Sequence, residues 1–207
     1  MANTIVKGHE IPTIDVALVT FTPNGTTNEL ILDTANQIQV SVQSETTDAV
    51  RLIVKGRLIS QKREETTITG NTITLTDNVF NPELVKLLQG GKIKYWTTAE
   101  HTATSDTDAG FGVASYTPPV AGSSEKGTPG TLKAYSAIYD AAGLLTGYEC
   151  IAYPNATGTP VALGSEDGVF RAPEYTINSA PSDDQAPYEI TYIGPDELPK
   201  AADDEEM

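Results

Sequence analysis

The chain has 207 residues, 39% of them hydrophobic, and a formal net charge of −15 at pH 7. That length allows one domain with a real core, or one domain with long loops, and the modest hydrophobic share leaves much of the chain for exposed loop and edge. The charge argues against a nucleic-acid binder, which needs clustered Lys and Arg, and against docking to an anionic membrane surface.

Residues 1–12 are polar and irregular and read as an arm. The opening MANTIVKGHE lacks the apolar segment of a secretion signal, and no apolar run reaches membrane-spanning length, so a place in the cytoplasm or in an assembled particle is expected. Residues 13–21, TIDVALVTF, read as a strand rich in β-branched side chains, and Pro23-Asn24-Gly25 as a turn. Further strands are expected at 38–43 and 49–60, with Gly56 marking a bulge or bend inside the second. Alternation there puts Arg51, Ile53, Lys55 and Arg57 on one face and Leu52, Val54, Gly56 and Leu58 on the other. The second face is expected to pack a core, and the first to look into a channel or outward.

Residues 66–91, TTITGNTITLTDNVFNPELVKLLQGG, are the most informative stretch. Gly70-Asn71 is a tight-turn dipeptide between alternating Thr/Ile/Leu segments, which predicts a β-hairpin. Asn81 suits a helix N-cap, Pro82 the first helical position and Glu83 the positive helix end. Leu84, Leu87 and Leu88 recur at helical spacing, and Gly90-Gly91 stops the helix, which is expected at about 82–89. Residues 92–98 read as a strand. Residues 99–130, dense in Gly, Pro and Ser, read as a long loop, with a short strand possible at 111–117. Strands follow at 131–140, 146–153, 168–178 and 187–193, with a turn from Asp140 to Gly143. The end, 194–207, closes on Asp203-Asp204-Glu205-Glu206 and reads as an acidic, disordered tail. The fold class is therefore mainly β, a two-sheet sandwich or barrel with one flanking short helix, in a single domain over 1–193.

No residue set carries chemistry. Cys150 is the one cysteine, so no intramolecular disulfide is possible, and it lies in a strand-like segment as a small hydrophobe. A nucleophile would need a base, and the two histidines, His9 and His101, sit in loop-like sequence. Asp106-Thr107-Asp108-Ala109-Gly110 lacks the remaining positions of a calcium loop. The pairs Glu64-Glu65, Glu166-Asp167 and Asp183-Asp184 read as solvated carboxylates rather than acid/base dyads. Gly164-Ser165-Glu166-Asp167-Gly168 lacks the lysine of a phosphate loop, and Ser165 is not in a nucleophile elbow. No catalytic, cofactor-binding or metal-ligating residue is assigned, and no enzymatic activity is expected.

The order of strands, one short helix and further strands resembles the major tail tube protein of long-tailed, non-contractile bacteriophages (the siphophage tail tube family), most closely in NPELVKLLQGG. The resemblance implies a β-sandwich flanked by a helix. It implies six copies per ring, sheets joined into one β-barrel around a channel, and rings stacked into a tube that conducts viral DNA into the host. Implied partners are the chain itself and the tape-measure, tail-tip and tail-terminator proteins, with DNA passing through the lumen without sequence-specific binding. The implied place is the virion tail, after synthesis in the bacterial cytoplasm. On this reading the 1–12 arm and the 99–130 loop reach neighbouring subunits and order on assembly. The competing reading is a monomeric β-sandwich, a virion decoration or adhesin-type module. An adhesin favours loop aromatics, and 99–130 offers only Phe111 and Tyr116.

Overall fold

The computed structural model describes residues 9–96, 103–104 and 112–200. The elements run β1 (Thr13–Pro23), β2 (Leu30–Leu32), β3 (Ala35–Thr47), β4 (Val50–Val54), β5 (Arg57–Lys62), β6 (Glu65–Asp77), α1 (Pro82–Gln89), β7 (Lys92–Trp96), β8 (Ala103–Thr104), β9 (Val113–Thr117), β10 (Gly130–Tyr139), β11 (Leu145–Gly158), β12 (Glu174–Ser179) and β13 (Glu189–Ile193). The main sheet has the order β2-β1-β10-β11-β12-β6-β3, with β13 also on β11; β4-β5 and β8-β7-β9 form two small sheets. Each of these ladders is antiparallel. The fold is mainly β with one short helix, sandwich-like, and without a closed barrel among the described residues.

Two features curl the sheet. First, β2 and β3 stand at opposite ends of the strand order, yet only Asp33 and Thr34 join them. The two ends must therefore meet. Thr34 Oγ1 donates to Asp77 Oδ1 at 2.5 Å, and the Asn78 N–H donates to the Thr34 carbonyl at 3.2 Å, pinning that corner to the end of β6. Second, β11 changes partners along its length. Its 148–152 stretch pairs with β13 and its 156–158 stretch with β12. Asn155, at φ 48, bends the strand between them, which is how sandwich corners are made.

The core lies between the curled sheet and α1. Asn81 Oδ1 accepts from the Leu84 N–H at 3.0 Å as the N-cap, Pro82 opens the helix, and Gly90 ends it at φ 86. Leu84, Val85 and Leu88 face inward onto Val19, Phe21, Ile73, Leu75, Leu132, Tyr175 and Ile177. The fully buried Tyr175 hydroxyl accepts the Asn81 N–H at 3.2 Å, so the sheet itself holds the helix start. At the other end, Thr128 N–H donates to the Leu87 carbonyl at 2.7 Å. A side chain at Gly158 would stand 2.2 Å from Leu88 Cβ, so only glycine lets α1 lie this close to β11. On the opposite face of the sheet, Leu18, Tyr135 and Cys150 form a smaller cluster with Ile31, Ile193 and Leu198.

Several expectations are corrected. Gly70-Asn71 is not a turn: β6 runs straight through both, and both are buried. A Cβ at Gly70 would stand 2.4 Å from the Ser179 carbonyl oxygen, so the glycine serves a close backbone approach, not a reversal. The segment 49–60 is not one strand. Lys55 (φ 49) and Gly56 (φ 76) are the two-residue turn of a hairpin, with Val54 opposite Arg57. The proposed core face, Leu52, Val54 and Leu58, is exposed. The segment 99–130 is not one loop: β9 pairs with β7, and the Tyr116 hydroxyl donates to the Gly90 carbonyl at 2.8 Å, so this part belongs to the body. Residues 97–102 and 105–111 lie outside the described residues. Of the expected strand 168–178 only 174–178 is strand, and it runs on to Ser179. Within 194–207, residues 194–200 are described, and Leu198 packs on the Cys150 cluster.

Gly158→Ala is expected to lower the unfolding free energy by about 1–3 kcal/mol, because the helix must shift to admit the methyl group; a urea titration reads the change. Alkaline pH is a second lever. Burial pushes the Tyr153 phenol up to about 12, with Tyr188 and Glu149 adding to it. Burial also raises Tyr175, partly offset by the Asn81 N–H bond. The unfolded chain releases these protons near pH ~10 while the folded chain keeps them, so their stabilisation is whole below about pH 10 and is lost as pH rises from there. Thermal midpoints measured across that range should fall, and Tyr153→Phe should flatten the fall.

Candidate assembly surface

The residues tested for chemistry are scattered. Glu64 and Glu65 lie at the foot of an exposed hairpin, Glu166 and Asp167 in one exposed loop, and Asp183 and Asp184 in another. Cys150 is buried beside Tyr135 and Leu18. His9 is exposed, while Asp106, Asp108 and His101 lie outside the described residues. Among the described residues, no three His, Cys, Asp or Glu side chains gather as a metal-binding group. A cleft of about 380 Å³ beside the end of α1 is lined by Leu88, Gln89, Glu125, Lys126 and Thr157 with Gly and Pro, and the Thr157 hydroxyl donates to the Asn178 carbonyl at 3.3 Å rather than to a base.

The structure instead singles out a long hairpin. β3 and β6 pair along their whole length, from Ala35 opposite Asp77 to Thr47 opposite Glu65. β4 and β5 extend the same hairpin to its tip at Lys55-Gly56. From Asn71 to Asp77, β6 alternates between buried and half-buried positions, but every residue from 50 to 69 is exposed. The change falls at Gly70. There β12 ends its pairing, at Ser179 opposite Asn71. There too the register of β3 and β6 shifts, Gln43 opposite Gly70 and Ser44 opposite Ile68, leaving Thr69 as a bulge. Asn71, buried, donates through Nδ2 to the Pro187 carbonyl at 2.9 Å and anchors the last core residue of the strand.

Beyond this point the hairpin is a two-stranded ribbon. Such a ribbon is marginal by itself in water. Its composition is not that of a solvated surface: Val50, Leu52, Ile53, Val54, Leu58, Ile59 and Ile68 are exposed, Ile53 and Ile59 at 60% each. Contiguous exposed apolar side chains on an open strand pair mark an interaction site. The tip of the ribbon is also basic. Residues 50–63 hold Arg51, Lys55, Arg57, Lys62 and Arg63 and no acid, in a chain of net charge −15.

A second open edge lies on β13, which pairs only with β11 among the described residues. Tyr188, Ile190 and Tyr192 are exposed there. The Tyr192 hydroxyl donates to Glu149 Oε2 at 3.2 Å, and desolvation followed by that carboxylate raises its phenol above the ordinary value. The Tyr188 ring lies 6.4 Å from that of Tyr153 at 49°. Sequence reasoning saw β13 as a strand but had no signal for its being an edge. For the ribbon, the signal was the Lys55-Gly56 dipeptide and the unbroken mix of apolar and basic residues around it.

No protein-family model matches the chain. No curated protein matches it. Among solved structures, the chain is similar to one described as "Cryo-EM structure of the anti-feeding prophage (AFP) baseplate, 6-fold symmetrised", at 10% identity and a TM-score of 0.32, over 93% of this chain and 98% of that one. A likeness of that degree fixes neither fold nor function.

The double substitution Leu52→Ser/Ile59→Ser removes two exposed apolar side chains and touches no core residue. Chemical unfolding should stay within about 0.5 kcal/mol of the parent, while self-association, followed by analytical ultracentrifugation, should fall sharply.

Proposed function

We propose that the chain is a structural subunit of a phage-type virion, a tail tube protein that assembles with copies of itself into stacked hexameric rings and encloses a channel for DNA. The observation that carries this reading is the apolar ribbon beyond Gly70, open at its edges and exposed in the isolated chain. A strand pair of this kind is stable when its edges are taken up by neighbouring strands, and closing many such edges in a ring removes the aggregation liability. The compact body supplies a rigid support, with α1 locked between β11, β12 and the 118–129 segment. The acidic balance of the chain suits a conduit that must release DNA rather than hold it. The tape-measure, tail-tip and tail-terminator proteins are the further partners of such a subunit.

Negative-stain electron microscopy of the purified protein across a concentration series, with and without a tail-tip complex, tests the proposal. Hollow rings or tubes of uniform width are expected. Monomers at every concentration, unchanged by the tail-tip complex, would overturn the reading in favour of a monomeric virion decoration or binding module.

A further inference from the structure

Two open surfaces of this chain are chemical complements. The ribbon tip, 50–63, carries five basic residues and no acid. The segment 181–197, which contains β13, carries Asp183, Asp184, Glu189, Asp196 and Glu197 and no base. All five acids are exposed. Both segments add exposed apolar side chains to their charge: Leu52, Ile53 and Ile59 on the ribbon, Ile190 and Tyr192 on β13 with Tyr188 just before it. Among the described residues both also present open strand edges, since β4-β5 is a sheet of two strands and β13 pairs on one side.

The two cannot meet within one chain. β3 and β6 remain paired out to Thr47 and Glu65, which holds the ribbon away from the body. At about 3.3 Å per residue, Arg63 stands roughly 20 Å along the chain from Gly70. Folding the tip back onto its own β13 would break the outer part of that ladder. We propose that the basic ribbon tip of one copy docks on the acidic β13 edge of a second copy, with the charges choosing the register and partner and the apolar side chains supplying most of the affinity. The proposal rests on the tube-subunit reading for its partner, a second copy of this chain. It adds which two surfaces meet and why the contact runs in one direction. Such a contact is head-to-tail, so it propagates into a ring or filament rather than closing as a two-fold dimer.

The test uses the full chain and five variants of it. Copies bearing Arg57→Cys are mixed with differently tagged copies bearing Glu189→Cys under mild oxidation, and the mixed disulfide is compared with that from Arg57→Cys and Glu166→Cys. At least tenfold more of the first is expected. Reversal of charge on the ribbon, Arg51→Glu/Arg57→Glu, should weaken self-association at least tenfold. Adding Asp183→Lys/Glu189→Lys to that chain should restore it. Circular dichroism spectra and thermal midpoints matching the parent separate lost docking from misfolding. Tubes that form equally well from the reversed-charge chain, with no excess of mixed disulfide, would overturn this docking and leave the tube reading standing. Failure of the parent chain to associate under any condition would overturn both. Normal assembly by the reversed-charge chain with loss of duplex-DNA retention would also overturn it, and would assign the basic tip to the lumen.

Discussion

The architecture depends on one strand doing two different jobs. β6 is core on one side of Gly70 and unsupported ribbon on the other. On the core side, Ile73 and Leu75 are buried under α1, and Asp77 ties the strand end to the corner where the sheet's two ends meet. On the outer side no third strand among the described residues supports it. The switch is possible because a residue without a side chain sits where the backbone passes the Ser179 carbonyl. A bulge one residue further on lets the strand leave the sheet while keeping its pairing with β3. Any Cβ at that point would separate β6 from β12 and loosen the ribbon from the part of the molecule that has a core.

This arrangement divides stability between two regions. The body has closed its polar accounts at the helix: the N-cap is satisfied twice, once by the Asn81 side chain and once by Tyr175, and the C-terminal turn is covered by the 118–129 segment. The ribbon has backbone pairing between its two strands but little burial, so it belongs to the low-stability end of the structure. A partner that adds strands to it supplies burial and hydrogen bonds together. That is also where chain entropy would be lost on assembly. The uneven charge has the same consequence. With five of the thirteen basic residues gathered at the tip, the body is more acidic than the net charge implies, so bodies repel while tips attract.

The sequence by itself determined the local pieces. Asn81, Pro82, Glu83 and Gly90 specify a helix start and stop through groups within a few residues of one another, and the helix stands where those signals put it. β1, β10 and the Asp140–Gly143 turn were legible for the same reason, because alternation and turn chemistry are short-range. Tertiary structure decided the rest. Gly70-Asn71 carries the same local signal as a true hairpin turn, and only Ser179, more than a hundred residues away in sequence, makes it a passage. Lys55-Gly56 is the turn instead, and nothing within its own neighbourhood says that the strands beside it will find no core. β9 was legible only as a possible short strand, because its partner β7 lies sixteen residues back across a polar segment with no turn signal of its own. Which apolar faces are covered and which strand edges remain open depends on pairing between distant segments, and no periodicity along the chain records it.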